Sequence, residues 1–84
     1  MAHIFAVDDE NEVLQTVGRV LEHEQYEMTL INSSIKALQL LEKQKPDLLI
    51  LDIIMPEMDG VTLCRRLRRD PRFITLPILF LTAK

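Results

Sequence analysis

Short apolar runs alternate along the chain with segments in which apolar residues recur every three or four positions. The short runs predict four β-strands, at residues 4–7, 26–31, 47–52 and 78–82. The periodic segments predict three amphipathic helices, at residues 11–23, between the capping residues 32–34 and Pro46, and from about 61 to 69. The order βαβαβαβ predicts an α/β fold with a parallel sheet and right-handed crossovers.

Each predicted helix has an apolar face that we expect to pack on the sheet. These faces include Val20 in the first helix, Ile35 in the second and Val61 in the third. The strand at 47–52 is apolar on both faces in its middle, which is typical of a central parallel strand covered by helices on both sides.

Composition and charge narrow the class of protein. The chain has 84 residues, 48% of them hydrophobic and 27% charged, so we expect one small ordered domain. A formal net charge of -3 argues against direct binding to nucleic acid. The single cysteine, Cys64, cannot form an internal disulfide, and no apolar run approaches the roughly 18 residues that span a bilayer. We therefore expect a soluble, cytoplasmic protein without a membrane partner.

Acidic residues follow the ends of two predicted strands. Asp8 and Asp9 come directly after the first strand, and Asp52 ends the third. Ligands of open parallel sheets bind beyond the carboxyl ends of the strands. If these two strands are neighbours, the three carboxylates converge, and a cation is the simplest way to keep all of them ionised. Oxygen ligands without His or Cys favour a hard ion such as Mg²⁺.

Two interpretations of these carboxylates compete. Because Asp52 stands alone at its strand end, it is the better candidate for a nucleophile that attacks a phosphoryl donor and carries an aspartyl phosphate. Alternatively, Asp8 and Asp9 only cap the first helix, which composition alone would favour. The Pro- and Gly-containing loop at 53–60 is compatible with simple turn chemistry, in which Gly supplies an unusual backbone angle. Its place after Asp52 shifts the balance towards a phosphate and metal site.

Three segments resemble the receiver domain of two-component response regulators. They are residues 6–10 (AVDDE), 51–60 (LDIIMPEMDG) and 81–84 (LTAK), each directly after a predicted strand. The resemblance extends from Met1 to Lys84. It implies a flavodoxin-like fold, similar to that of the chemotaxis regulator, with strand order 2-1-3-4.

The resemblance also implies roles for single residues. Asp52 corresponds to the phosphoacceptor, and Asp8 and Asp9 to the acidic pair around Mg²⁺. Ile54 corresponds to the residue whose backbone carbonyl binds the metal, and Thr82 to the hydroxyl that approaches the phosphoryl group and helps to switch the domain. Without the resemblance, Thr82 reads as an ordinary strand-end residue. The implied protein is a signalling module rather than an enzyme, and its implied partner is a sensor histidine kinase or a phosphotransfer protein.

The resembled family continues with a fourth helix, a fifth strand and a fifth helix, and these elements include a lysine and an aromatic switch residue. The sequence stops before them. We therefore expect a truncated receiver domain over residues 1–84. The alternative function is a phosphorylation-incompetent interaction or structural fragment. In the implied strand order the fourth strand becomes an apolar edge, which predicts a homodimer in which two such strands, or the helices beside them, meet.

Five arginines lie in or just after the third predicted helix. They are Arg65, Arg66, Arg68, Arg69 and Arg72. The chain is acidic overall and no aromatic residues interleave the arginines. We therefore expect a solvated helix face rather than a surface that binds an anionic partner.

Overall fold

A parallel sheet of four strands with three helices forms the part of the chain that the computed structural model describes, residues 1–81. The elements are β1 His3–Val7, α1 Asn11–His23, β2 Glu27–Ile31, α2 Ser34–Leu41, β3 Leu48–Asp52, α3 Gly60–Arg68, a short 3-10 helix Pro71–Phe73, and β4 Ile78–Leu81. The strand order is β2-β1-β3-β4 and every pairing is parallel, which confirms the flavodoxin-like α/β fold and the order 2-1-3-4. Within these residues no helix is long and apolar enough to cross a membrane.

The two central strands are buried on both faces because helices cover the sheet on both sides. On one face, Phe5 and Leu51 pack with residues of α2 and α3. On the other face, Ala6 and Ile50 pack with Leu14 of α1. Burying one such large apolar side chain stabilises a fold by about 1.5–3 kcal/mol, so the two layers fix β1 and β3 firmly side by side.

The buried stripe of each helix is narrower than the sequence predicts. Val20, Ile35 and Val61 are 60%, 40% and 39% exposed, so the prediction that they belong to buried faces is wrong. Val20 lies about 200° around the helix axis from the buried Gly18, and Ile35 and Val61 each lie about 100° from the buried first residue of their helix. A helix that rests on a sheet buries only the residues within a limited arc.

Two strands begin a residue later than predicted, the second at Glu27 and the third at Leu48. The N–H of Tyr26 donates to the carbonyl of Leu21 at 3.2 Å in the turn that ends α1, which keeps Tyr26 out of the sheet. Gln25, with a φ of 71°, reverses the chain at this turn.

Candidate functional site

The carboxyl ends of β1 and β3 bring three carboxylates together. Val7 pairs with Leu51 in adjacent parallel strands, so the next residues along, Asp8 and Asp52, lie side by side at the carboxyl ends of these strands. One carboxylate oxygen from each of Asp8, Asp9 and Asp52 lies within 4.8 Å of the other two. We call these three residues the acidic cluster. The sequence predicted this convergence on the condition that the two strands are neighbours, and they are.

Asp8 is the most deeply buried member of the acidic cluster, only 1% exposed. Its Oδ1 accepts a hydrogen bond from the backbone N–H of Glu10 at 2.8 Å, whereas its Oδ2 is buried without a hydrogen-bond partner among the described residues. Burial raises the pKa of Asp8, and the negative charges of Asp52, Asp9 and Glu10 raise it further, against the opposing effect of the Glu10 hydrogen bond. An ionised Asp8 is therefore costly unless a cation lies beside it.

The donor set fits a hard divalent cation. All three side chains offer oxygen, one buried oxygen of Asp8 lacks a partner, and Asp9 is exposed, so the cluster is open to solvent on one side. Mg²⁺ takes oxygen ligands from one or two carboxylates and retains several waters, which such an open cluster allows. These residues could therefore hold Mg²⁺.

The interpretation that Asp8 and Asp9 cap the first helix is wrong, because neither is the N-cap residue of α1. The N-cap of α1 is Glu10, whose own side chain makes no capping hydrogen bond. Asp8 instead orders the approach to α1 through Oδ1, which accepts from Glu10. This bond uses Oδ1 of Asp8 and leaves Oδ2 available to a metal ion. Asp8 can therefore have both a local structural role and a ligand role.

The loop after Asp52 folds back onto the end of β3. Asp59 caps α3, because its Oδ1 accepts from the N–H of Thr62 at 2.8 Å. The N–H of Gly60 donates to the carbonyl of Ile53 at 2.8 Å. A Cβ atom at Gly60 would overlap the backbone carbonyl oxygen of Asp52, so a side chain at this position would displace the strand end that carries Asp52.

The unusual backbone angle of this loop is at Glu57 rather than at Gly60. Glu57 has a φ of 69°, and the N–H of Met58 donates to the carbonyl of Pro56 at 2.8 Å across it, which closes a three-residue turn. The prediction that Gly supplies this angle is therefore wrong. Gly60 is required because backbone approaches it closely.

Ile54 and Thr82 complete the predicted site residues. Ile54 lies in the loop two residues after Asp52 and is 73% exposed. Because its side chain is a hydrocarbon without a ligand atom, a ligand role would belong to its backbone carbonyl. The last described residue of β4, Leu81, pairs with Asp52. Thr82 lies outside the described residues. The roles assigned to both residues stay predictions.

Arg68 orders the segment that leads into β4, a role that its sequence context does not indicate. Its Nη1 donates to the carbonyl oxygens of Phe73, Ile74 and Leu76, at 2.8, 3.1 and 2.7 Å. Arg68 is exposed, as expected for a solvated arginine face, but its guanidinium group is also bound to backbone carbonyls. The only signal available in the sequence is an arginine at a helix C-terminus, where cations meet unpaired carbonyls.

The fold and the acidic cluster together define a parallel α/β domain with a candidate cation site beyond the carboxyl ends of its central strands. The family model described as response regulator receiver domain matches residues 4–84. The chain belongs to this family, and hence to the proteins of two-component signalling.

Relatives of known name support the assignment. The response regulator MprA of Mycobacterium leprae is 41% identical over 81 residues, which cover 96% of this chain and 35% of that protein. The DNA-binding dual master transcriptional regulator RpaA of Synechocystis is 39% identical over 83 residues, which cover 99% of this chain and 34% of that protein. The chain thus spans about a third of the length of these curated relatives.

Solved structures show the same fold. The N-terminal domain of a response regulator receiver protein from Methanoculleus marisnigri superposes with a TM-score of 0.94 at 34% identity, over 100% of this chain and 68% of that one. The receiver domain of the sensor histidine kinase PA1611 from Pseudomonas aeruginosa superposes with a TM-score of 0.92 at 28% identity, over 99% of this chain and 68% of that one. The latter structure is described as having a magnesium ion coordinated in the active site cleft.

Proposed function

We propose that this chain accepts a phosphoryl group on Asp52, in a Mg²⁺ site formed by Asp8, Asp9, Asp52 and the backbone carbonyl of Ile54. The observation that carries the proposal is the acidic cluster, in which a buried oxygen of Asp8 lacks a partner beside Asp52. The magnesium ion described for the similar PA1611 receiver domain supports the choice of metal.

In the proposed reaction, a carboxylate oxygen of Asp52 attacks the phosphorus of a phosphohistidine. The O–P bond forms as the N–P bond breaks, and the electron pair of the N–P bond stays on the imidazole nitrogen, which takes up a proton. Bound Mg²⁺ would supply positive charge to the carboxylates and to the phosphoryl oxygens. Each transfer consumes one Asp52 carboxylate, so the chain acts as a phosphoacceptor and not as an enzyme.

The proposed phosphodonor is a sensor histidine kinase or a phosphotransfer protein, and the proposed location is the cytoplasm. Asp52 is only 4% exposed, whereas Asp9 is exposed, so the donor would approach from the side of the acidic cluster on which Asp9 lies. The free thiol of Cys64 is consistent with a reducing compartment.

Acetyl phosphate tests the proposal without a cognate kinase. Incubation with acetyl phosphate and Mg²⁺ should add the mass of one phosphoryl group to the chain, because the carboxylate attacks phosphorus and acetate leaves. Asp52→Asn should remain unmodified. Asp47→Asn, a matched change of an exposed aspartate just before β3, should be modified like the parent. No adduct on the folded parent chain would overturn the proposal and favour a phosphorylation-incompetent interaction fragment.

We also propose that the 84-residue chain forms a homodimer through β4. In the described part of the chain β4 pairs with β3 alone, and its residues Leu79 and Phe80 are 54% and 37% exposed. An apolar strand with one unpaired edge is a template for pairing with another strand.

A further inference from the structure

A groove joins α2, α3 and the 3-10 helix at the end of the domain opposite the acidic cluster. In crossover connections the helices run antiparallel to the strands, so α2 and α3 end near the edge where the strands begin. Two cavities of about 170 and 220 Å³ lie there. They form one groove, because Leu41, Glu42 and Phe73 line both of them.

The floor of the groove is apolar. Leu38, Leu41, Leu67 and Phe73 line it and belong to the larger core layer of the domain. Since Leu41, Leu67 and Phe73 are almost fully buried, the floor presents only the edges of these side chains. It fits an aliphatic side chain better than a planar base, which would need an exposed aromatic ring on which to stack.

The rim of the groove carries positive charge that the protein does not neutralise. Arg66 lines one cavity, and Lys43 and Lys45 line the other. Arg69, the C-cap residue of α3, follows Arg66 by three residues and is its neighbour on the surface, although it lines neither cavity. Within residues 1–81, none of these four side chains makes a hydrogen bond or an ion pair.

The two carboxylates of the groove are already engaged. Arg72 donates to Asp70 at 2.6 Å and to Glu42 at 3.3 Å, which ties α2 to the 3-10 helix. The hydrogen bonds from Arg72 lower the pKa of Asp70, so this carboxylate stays ionised at neutral pH. Arg66, Arg69 and the two lysines therefore remain uncompensated on a chain whose net charge is -3.

We propose that this groove docks an acidic segment of a partner protein, with apolar side chains on its floor and carboxylates paired with the rim. Charge complementarity selects the partner, because the planar guanidinium groups of Arg66 and Arg69 match carboxylates in geometry as well as in charge. The groove lies at the ends of α2 and α3 and no β3 residue lines it, whereas Asp52 is the last residue of β3, so docking and phosphorylation are compatible on one molecule.

The test measures fluorescence anisotropy of a labelled peptide made of Glu, with Leu at helical spacing, titrated with the full chain at low salt. Saturable binding that weakens with added NaCl is expected. Arg66→Gln combined with Arg69→Gln should weaken binding about tenfold. Arg19→Gln, an exposed arginine of α1 away from the groove, should leave the affinity within about twofold.

Comparison probes decide which feature is recognised. A peptide with Ser in place of Leu should bind more weakly, and one with Lys in place of Glu should not bind. Asp52→Asn should bind the acidic peptide like the parent, so failure of the phosphoacceptor proposal and failure of this one are distinguishable. Absence of saturable binding, equal binding of the Lys peptide, unchanged binding by the double variant, or tighter binding of a single-stranded DNA would each overturn the proposal.

Discussion

Gly60 is the residue where the loop after Asp52 allows no side chain. Because a Cβ atom there would overlap backbone rather than a flexible side chain, we expect Gly60→Ala to destabilise the fold by about 2 kcal/mol or more. For a domain of this size that corresponds to a melting temperature lower by about 8 °C or more. Thermal unfolding followed by circular dichroism measures the effect.

Gly18→Ala is the matched control for Gly60→Ala. A Cβ atom at Gly18 would lie 3.0 Å from the end of the Leu30 side chain, which can move because Leu30 is 42% exposed. Ala is also favoured over Gly inside a helix by about 1 kcal/mol. We expect an unchanged or higher melting temperature, and equal losses in the two variants would contradict the close approach at Gly60.

Asp8 should limit the stability of the metal-free protein at neutral pH. A pKa that is raised in the folded state means that the folded chain holds its proton more tightly than the unfolded chain, whose Asp pKa is about 3.9. Stability is therefore lost as pH rises from that value through the folded pKa, and the penalty is complete above the folded pKa. We expect Asp8→Asn to melt a few degrees higher than the parent at pH 7 in EDTA, with the difference vanishing in acid.

In Mg²⁺, the parent should melt at a higher temperature than Asp8→Asn, the reverse of the order expected in EDTA. A ligand that binds only the folded state adds about 2.7 kcal/mol at one hundred times its Kd, and Asp8→Asn removes one ligand. Asp9→Asn should also lose the response to Mg²⁺. Because Asp9 is exposed, the melting temperature of Asp9→Asn in EDTA should exceed that of the parent by less than the melting temperature of Asp8→Asn does. If millimolar Mg²⁺ leaves the melting temperature of the parent unchanged, or raises that of either variant as much as that of the parent, the result would count against the acidic cluster as a metal site.

Some roles of the site residues could be predicted from the sequence, and others could not because they depend on backbone that is distant along the chain. Asp8, Asp9 and Asp52 were predictable, because position at a strand end determines where a side chain emerges once two strands are neighbours. The turn angle at Glu57 and the close approach at Gly60 were not, because they depend on how the loop returns to β3. No local sequence pattern indicates how this loop folds back onto β3.

At the scale of elements, Arg68 ties α3 to the segment before β4. Its three hydrogen bonds to carbonyl oxygens replace partners that water would otherwise supply. We expect Arg68→Met to lower the free energy of unfolding by about 2 kcal/mol, because charge-assisted hydrogen bonds are lost and carbonyls are left unpaired. Urea unfolding measures this difference.

Arg69→Met is the control for Arg68→Met, since Arg69 is exposed and its side chain makes no hydrogen bond to residues 1–81. Its stability should stay within about 0.5 kcal/mol of the parent. Equal unfolding midpoints for the two variants would show that the carbonyl contacts of Arg68 do not order this segment.

The elements themselves were more predictable than their buried faces. Apolar runs identify β1 and β3 because both strands are buried on two sides, and this leaves little room for another interpretation. Val20 and Val61 were misplaced because apolar character fixes neither the width of the contact nor its direction. The width of the buried face depends on the sheet against which each helix packs. The spacing of apolar residues within one helix gives no information about that sheet.

At the scale of the whole molecule, charge and apolar surface are separated along the strand direction and across the sheet. The acidic cluster lies at the carboxyl ends of the strands, and the cationic groove lies at the opposite end. The exposed apolar residues Leu79 and Phe80 lie on β4, at one edge of the described sheet. An encounter between two copies through β4 therefore brings neither charged region against itself.

The last prediction concerns that edge. Two β4 strands related by a twofold axis would pair antiparallel, join the two sheets and cover Leu79 and Phe80, so sedimentation equilibrium of the 84-residue chain at micromolar concentration should give the mass of a dimer. Phe80→Lys should shift the mass towards a monomer, since it places charges on both sides of the contact. Ile74→Lys, at an apolar residue 58% exposed before β4, should leave the dimer intact. A compact monomer whose amides from Ile78–Leu81 resist hydrogen exchange would refute pairing through β4, because that edge would then be stable without a second copy.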